Sequence, residues 1–150
     1  MVPERTTHAR TGMDRATLGR RAEDLAAQYL QAAGAQILLR NYRRRRGELD
    51  IVALHRGTLL IVEVRMRSSA AFGGSAASVD ARKQQRIAGA ARQLLQQRRD
   101  LAQLPVRFDV VAIGPSGAAS SCAADATAAP DAPLAAPPIE WIRHAFELRG

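Results

Sequence analysis

Residues 47–65 read GELDIVALHRGTLLIVEVR. Two apolar, β-branched runs flank Arg56–Gly57, a two-residue loop whose glycine suits a tight turn, so the stretch predicts a β-hairpin with strands over 48–54 and 59–65. Side chains alternate along a strand, which puts Glu48, Asp50 and Val52 on one face and Leu49, Ile51 and Ala53 on the other. A loop centred on 56–57 pairs residues whose numbers sum to 113. Asp50 then falls opposite Glu63 and Glu48 opposite Arg65, all four on one face. Two ionised carboxylates ~5 Å apart repel by roughly 3 kcal/mol at an effective dielectric of about 20. A divalent cation offsets that repulsion, since Mg²⁺ takes oxygen ligands from one or two carboxylates. Arg65 and nearby arginines offset it without a metal. The competing structural reading is an exposed sheet face whose acids pair with arginine. The flanking "IVAL" and "LLIV" runs favour burial, and buried acids need compensation.

Immediately upstream lies RNYRRRR, residues 40–46, with Arg40, Arg43, Arg44, Arg45 and Arg46. The whole chain of 150 residues carries a formal net charge of +8. That balance points to a polyanionic partner, nucleic acid before an anionic membrane, because the arginines do not lie along a helix with a bulky apolar face. Lys83 is the only lysine, as a base-composition bias in the source genome would produce. Cys122 is the only cysteine, which excludes an intramolecular disulfide and a thiolate metal site and fits a reducing, cytoplasmic setting. The polar N-terminus lacks a secretory h-region, and no apolar run is long enough to span a bilayer. His8, His55 and His144 lack metal-ligand spacing, and there is no phosphate-binding glycine loop.

Outward from the hairpin, residues 1–16 read as a disordered basic tail and 17–113 as an α/β domain. Leu18, Ala22, Leu25, Ala26, Tyr29, Leu30 and Ala33 recur at helical spacing, with Thr17 as the expected cap and Gly34 as the stop. A strand is expected over 35–42. The Ser/Gly-rich 68–78 reads as a loop, with Gly73 and Gly74 near the substrate groove. Asp80 opens a second helix to about Gln103, with Ile87, Ala91, Leu94, Leu95 and Leu101 as its stripe, and 106–114 reads as a fourth strand. There Asp109 reads as structural, paired with Arg107. Residues 114–138 read as an Ala/Pro-rich flexible insertion, and 139–150 as a terminal strand or short helix, with Trp141 and Phe146 as packing residues. The order αβββαβ, with a crossover before the fourth strand, predicts a mixed central sheet flanked by helices.

GELDIVAL followed by LLIVEVRMRSS resembles the PD-(D/E)XK nuclease signature, in which an Asp precedes Glu-x-Lys on the next strand. Together with GRRAEDLAAQYLQAAG, RNYRRRRGELDIVA, DARKQQRIAGAARQLL and VRFDVVAI, it resembles the bacterial YraN family over about residues 18–113. That resemblance implies a restriction-endonuclease-like core, similar to archaeal Holliday-junction resolvases. It implies Asp50 and Glu63 as ligands of Mg²⁺ or Mn²⁺, with the Val64 carbonyl and Glu23 completing the set; Glu23 alternatively reads as a solvated helix carboxylate. Glu48 would position a water or pair with Arg65. The signature's lysine is Arg65 here. Arginine stays protonated and cannot serve as a base, although it can hold phosphate bidentately. Lys83 is the residue that could reach the site in its place; otherwise it is a solvated residue of the first helical turn.

These readings converge on a nucleic-acid-binding protein acting as a metal-dependent endonuclease on DNA, more than RNA, with branched or single-stranded substrates. Arg40, Arg43, Arg44, Arg45, Arg46 and Arg67 would hold the backbone. The alternatives are a non-catalytic nucleic-acid-binding module on a nuclease fold, and an adaptor whose basic face meets an acidic protein. Resolvase-like proteins act as dimers, so the resemblance also allows a homodimer, for which the sequence shows no interface.

Overall fold

A computed structural model describes residues 14–67, 79–115 and 136–147. The 68–78 loop, Cys122, His8 and most of the 114–138 segment lie outside the described residues. The elements are α1 (Arg15–Ala32), β1 (Gln36–Arg44), β2 (Gly47–His55), β3 (Thr58–Met66), α2 (Ala81–Gln97), β4 (Val106–Ile113) and β5 (Ile139–Phe146). One sheet has the order β1-β2-β3-β4-β5, parallel between β3 and β4 and antiparallel elsewhere. Of the two forms expected for the terminal segment, the strand is the one adopted. No helix among the described residues is long and apolar enough to cross a membrane.

The hairpin takes the expected register as far as Ile51, but the expected pairs Asp50–Glu63 and Glu48–Arg65 lie beyond the end of the β2–β3 ladder. Pairs run from His55↔Thr58 to Ile51↔Val62. Arg56 (φ 49°) and Gly57 (φ 77°) are both left-handed, as a two-residue turn matching the strand twist requires. On β3, Leu59 and Ile61 pack on the α2 side with Ile87, Ala90, Ala91 and Leu94. Leu60 and Val62 pack on the α1 side with Ala22, Ala26, Ala27 and Leu30. The helices therefore cover opposite faces, and β3 is buried on both, as a strand carrying a parallel crossover must be. On β2 the strict alternation fails at one place. Ile51 and Ala53 face α1, but Leu49 packs with Val52 on the α2 side. This reversal brackets Asp50, where the β2–β3 pairing also ends.

Two helix boundaries differ from expectation. Asp14, not Thr17, caps α1: its Oδ1 accepts from Thr17 N–H at 2.7 Å, so residues 14–16 form the cap and first turn instead of belonging to the tail. Thr17 instead accepts from Arg20 at 3.1 Å. At the other end Gly34 (φ 90°) stops the helix as expected. Helix α2 starts behind Asp80 as predicted but ends at Gln97 rather than Gln103. Arg98 forks onto Asp100 at 2.8 and 2.9 Å, and Leu101 N–H turns back to the Arg98 carbonyl at 3.0 Å. Leu101 thus reaches the core from a turn and not from the helical stripe.

Asp109 is fully buried and anchors β5 to β4. Its carboxylate accepts from Arg107 Nε and Nη2, each at 2.8 Å, from Trp141 Nε1 at 2.8 Å, and from the His144 N–H at 3.1 Å. The structural pairing with Arg107 is as expected, and Phe146 stacks on Phe108 at 4.9 Å between ring centroids.

Candidate functional site

Where β2 and β3 part, continuing the register would set Leu49 opposite Val64. There the Val64 N–H donates to Asp50 Oδ2 at 2.8 Å. A carboxylate thus takes up a strand N–H, and the Val64 peptide lies beside the acid. Glu63, only 4 % exposed, points to the α2 side. Asp50, Glu63 and Glu48 line one cavity of about 330 Å³, closed by Asp80, Arg82, Lys83, Arg86 and Ile87 at the start of α2. The Lys83 ammonium makes an ion pair with Glu63. The capping of α2 explains the reach: Asp80 Oδ1 accepts the Lys83 N–H at 2.9 Å, fixing Lys83 in the first turn over the strand ends.

Burial, then the charge of Glu63, pushes the Asp50 carboxyl up to about 7; the Val64 hydrogen bond and Lys83 pull the other way, and Glu23 adds a smaller upward push. The main cause is loss of water around the carboxylate, and the neighbouring Glu63 charge adds to it.

On the α1 side a second space of about 400 Å³ adjoins the first through Glu48 and Asp50, and Arg20, Glu23, Asn41 and Arg43 line it. Glu23 accepts from Asn41 Nδ2 at 2.7 Å, so it is a positioned carboxylate facing the site rather than a merely solvated one. Asn41 takes a left-handed conformation (φ 52°) in doing so. Glu48 Oε1 accepts from Arg43 Nε at 2.7 Å, across the β1–β2 pair Arg43↔Glu48. Arg65 is partly buried on β3, opposite Ala112 of β4.

The arginine run does not act as one surface. Arg40 pairs with Asp24 at 2.6 Å, and Arg44 lies over the Tyr42 ring at 4.6 Å. Arg45 and Arg46 are exposed at the turn. Arg67 corrects the sequence reading: its side chain is 5 % exposed and lies 3.4 Å from Glu140 of β5, so it belongs to the packing beneath the sheet edge and not to an exposed basic face. Its neighbours on β4 and β5 are distant in sequence, which is why position 67 gave no warning. Arg82, Arg86, Asn41 and Arg20 were not singled out in the sequence. The first two were legible as an i, i+4 pair behind the Asp80 cap.

Among the described residues no group of three or more His, Cys, Asp or Glu is placed to hold a metal ion. The donor chemistry nonetheless fits a hard divalent cation, since Mg²⁺ is commonly held by one or two carboxylates and fills its remaining positions with water and phosphate. Asp50 and Glu63 supply those carboxylates in one cavity, and the Val64 peptide lies alongside.

A family model described as "Uncharacterised protein family UPF0102" matches residues 22–113. A UPF0102 protein of Pseudomonas entomophila is 40% identical over 129 residues, covering 86% of this chain and 92% of that protein. One from Stutzerimonas stutzeri is 44% identical over 129 residues, covering 86% and 93%. One from Saccharophagus degradans is 43% identical over 130 residues, covering 87% and 92%. The matched span holds α1 from Ala22 through β4, and with it Glu23, Asp50, Glu63 and Lys83. On this coverage and identity, the chain belongs to the UPF0102 family.

Proposed function

We propose that this protein is a metal-dependent endonuclease that hydrolyses DNA phosphodiesters on a restriction-endonuclease-like core. One observation carries the reading: the paired acids Asp50 and Glu63 share a cavity in which Asp50 is pushed up to about 7. Buried acids with raised pKa values gather at functional clefts, which supports this reading. The αβββαβ order, with β3 and β4 parallel and a helix on each face, supports the core assignment.

Asp50 and Glu63, with the Val64 carbonyl and Glu23 around them, would hold Mg²⁺ or Mn²⁺. Bound there, the cation would supply an activated water and stabilise charge on the phosphate. The chain's own residues do the remainder. Lys83 holds a positive charge against Glu63 and would stand in for the signature's lysine, whose place Arg65 takes. Arg65 keeps its proton and serves phosphate charge, not proton transfer. Glu48, fixed by Arg43, orients solvent beside Asp50. A cytoplasmic setting suits a chain with one cysteine, and a homodimer would bring two such sites to two strands.

The Lys83–Glu63 ion pair also favours a second reading, a nucleic-acid-binding module that does not cut, with the ammonium standing where a cation would. A panel of labelled duplex, single-stranded, flap and four-way-junction DNA, plus RNA, separates the two. We expect cutting that requires Mn²⁺ or Mg²⁺ and is lost in Asp50→Asn. Salt-dependent binding without cutting would move the assignment to the binding module, and absence of both would leave the protein-interaction adaptor.

A further inference from the structure

On the α2 side of the acid pair, three arginines cluster without a carboxylate partner among the described residues. Arg46 at the β1–β2 turn and Arg82 and Arg86 on α2 line a shallow cavity of about 240 Å³ with Gln85 and Gly89. Arg82 and Arg86 also line the acid cavity, so the two spaces adjoin. Two glycines seat the turn on the helix. A Cβ at Gly47 would stand 2.4 Å from the Arg86 carbonyl oxygen, and one at Gly89 would stand 3.2 Å from Arg46 Cβ. Arg82 and Arg86 lie one turn apart on one face, about 6 Å along the axis. Among the described residues no carboxylate pairs with Arg46, Arg82 or Arg86, whereas Arg40 and Arg43 pair with Asp24 and Glu48. Across the acid pair, the α1-side space sets Glu23, Glu48 and Asp50 against Arg20 and Arg43, so it has no excess of positive charge.

We propose that Arg46, Arg82 and Arg86 form a phosphate clamp that holds a nucleic-acid backbone on one side only of the Asp50–Glu63 pair. The clamp deepens the nuclease reading and rests on its nucleic-acid substrate, but not on cleavage. It replaces the contiguous run 40–46 as the main anionic contact: one arginine of that run joins two from a helix some forty residues on. Arginine suits the role because its planar fork holds phosphate oxygens bidentately.

The test is binding of the full chain to a fluorescently labelled single-stranded DNA across a salt series, in chelator so that no chemistry intervenes. The probe variants are Arg82→Gln/Arg86→Gln and Arg46→Gln. The control, Arg98→Gln/Arg99→Gln, removes the same net charge just past the far end of α2. We expect the slope of log affinity against log salt to become shallower by about 1.4 in the Arg82/Arg86 variant, by about half that in Arg46→Gln, and to hold in the control. All three are exposed residues, so thermal melting should match wild type. An unchanged slope in the Arg82/Arg86 variant, or an equal loss in the control, overturns the clamp while leaving nucleic-acid binding intact. No binding by wild type overturns both. Binding through the clamp with no cutting in metal removes the nuclease reading alone.

Discussion

At the scale of single residues, Asp50 governs how the protein responds to pH. Its carboxyl titrates near 7 in the folded chain against 3.8 unperturbed, chiefly through burial and then through Glu63. Between those values the folded state keeps a proton that the unfolded state has released. Stability from this group is therefore complete below about 3.8 and is lost as pH rises through about 7. In chelator, the melting temperature of wild type should fall from pH 4 to pH 7 relative to Asp50→Asn, whose amide does not titrate; parallel pH curves for the two proteins would refute it. Part of this was legible in the sequence: the hairpin register follows from Arg56–Gly57, although the ladder stops and the alternation fails just where Asp50 sits. Lys83 was legible as a residue able to reach the site, but its pairing with Glu63 was not, nor was the Val64 N–H bond to Asp50, since both depend on where the strands part. Arg67 shows the opposite failure: one-dimensional reading sees a cation near a motif and cannot see the Glu140 that covers it.

At the scale of elements, the decisive junction is the β1–β2 turn against α2. Gly47 admits the Arg86 carbonyl at a distance that no side chain tolerates. Gly47→Ala should cost about 1–3 kcal/mol by overpacking and move Arg46 away from α2. Chemical denaturation measures the first effect, and a weakened DNA affinity beyond that of Arg46→Gln measures the second; an Ala variant of wild-type stability would mean that the turn is not seated as described. Element identities were legible because their signals are local: period-two apolar runs, the Asp80 cap, the stop at Gly34. The boundaries were less so, since Asp14 and Thr17 are both competent caps and only packing selects between them. The premature end of α2 was hidden because Leu101 continues the apolar spacing after the helix itself has ended.

At the scale of the whole molecule, two helices on opposite faces leave the acid pair at the one place where the strands separate, so ligand binding and global stability share residues. Mn²⁺ at about a hundredfold over its dissociation constant should stabilise wild type by about 2.7 kcal/mol against thermal unfolding. Glu63→Gln should abolish that gain; an equal gain in the variant would place the metal elsewhere. The family match ends at residue 113, yet the sheet continues in β5, which Asp109 locks in place through Trp141 and His144. That lock matters beyond packing. Beneath β5 lies β4, buried from Phe108 to Ile113, its outward N–H and C=O groups engaged by this last strand. Without β5, the β4 edge would offer an unpaired ladder to any extended chain. By holding Trp141 and His144, the Asp109 carboxylate thus also keeps that edge closed.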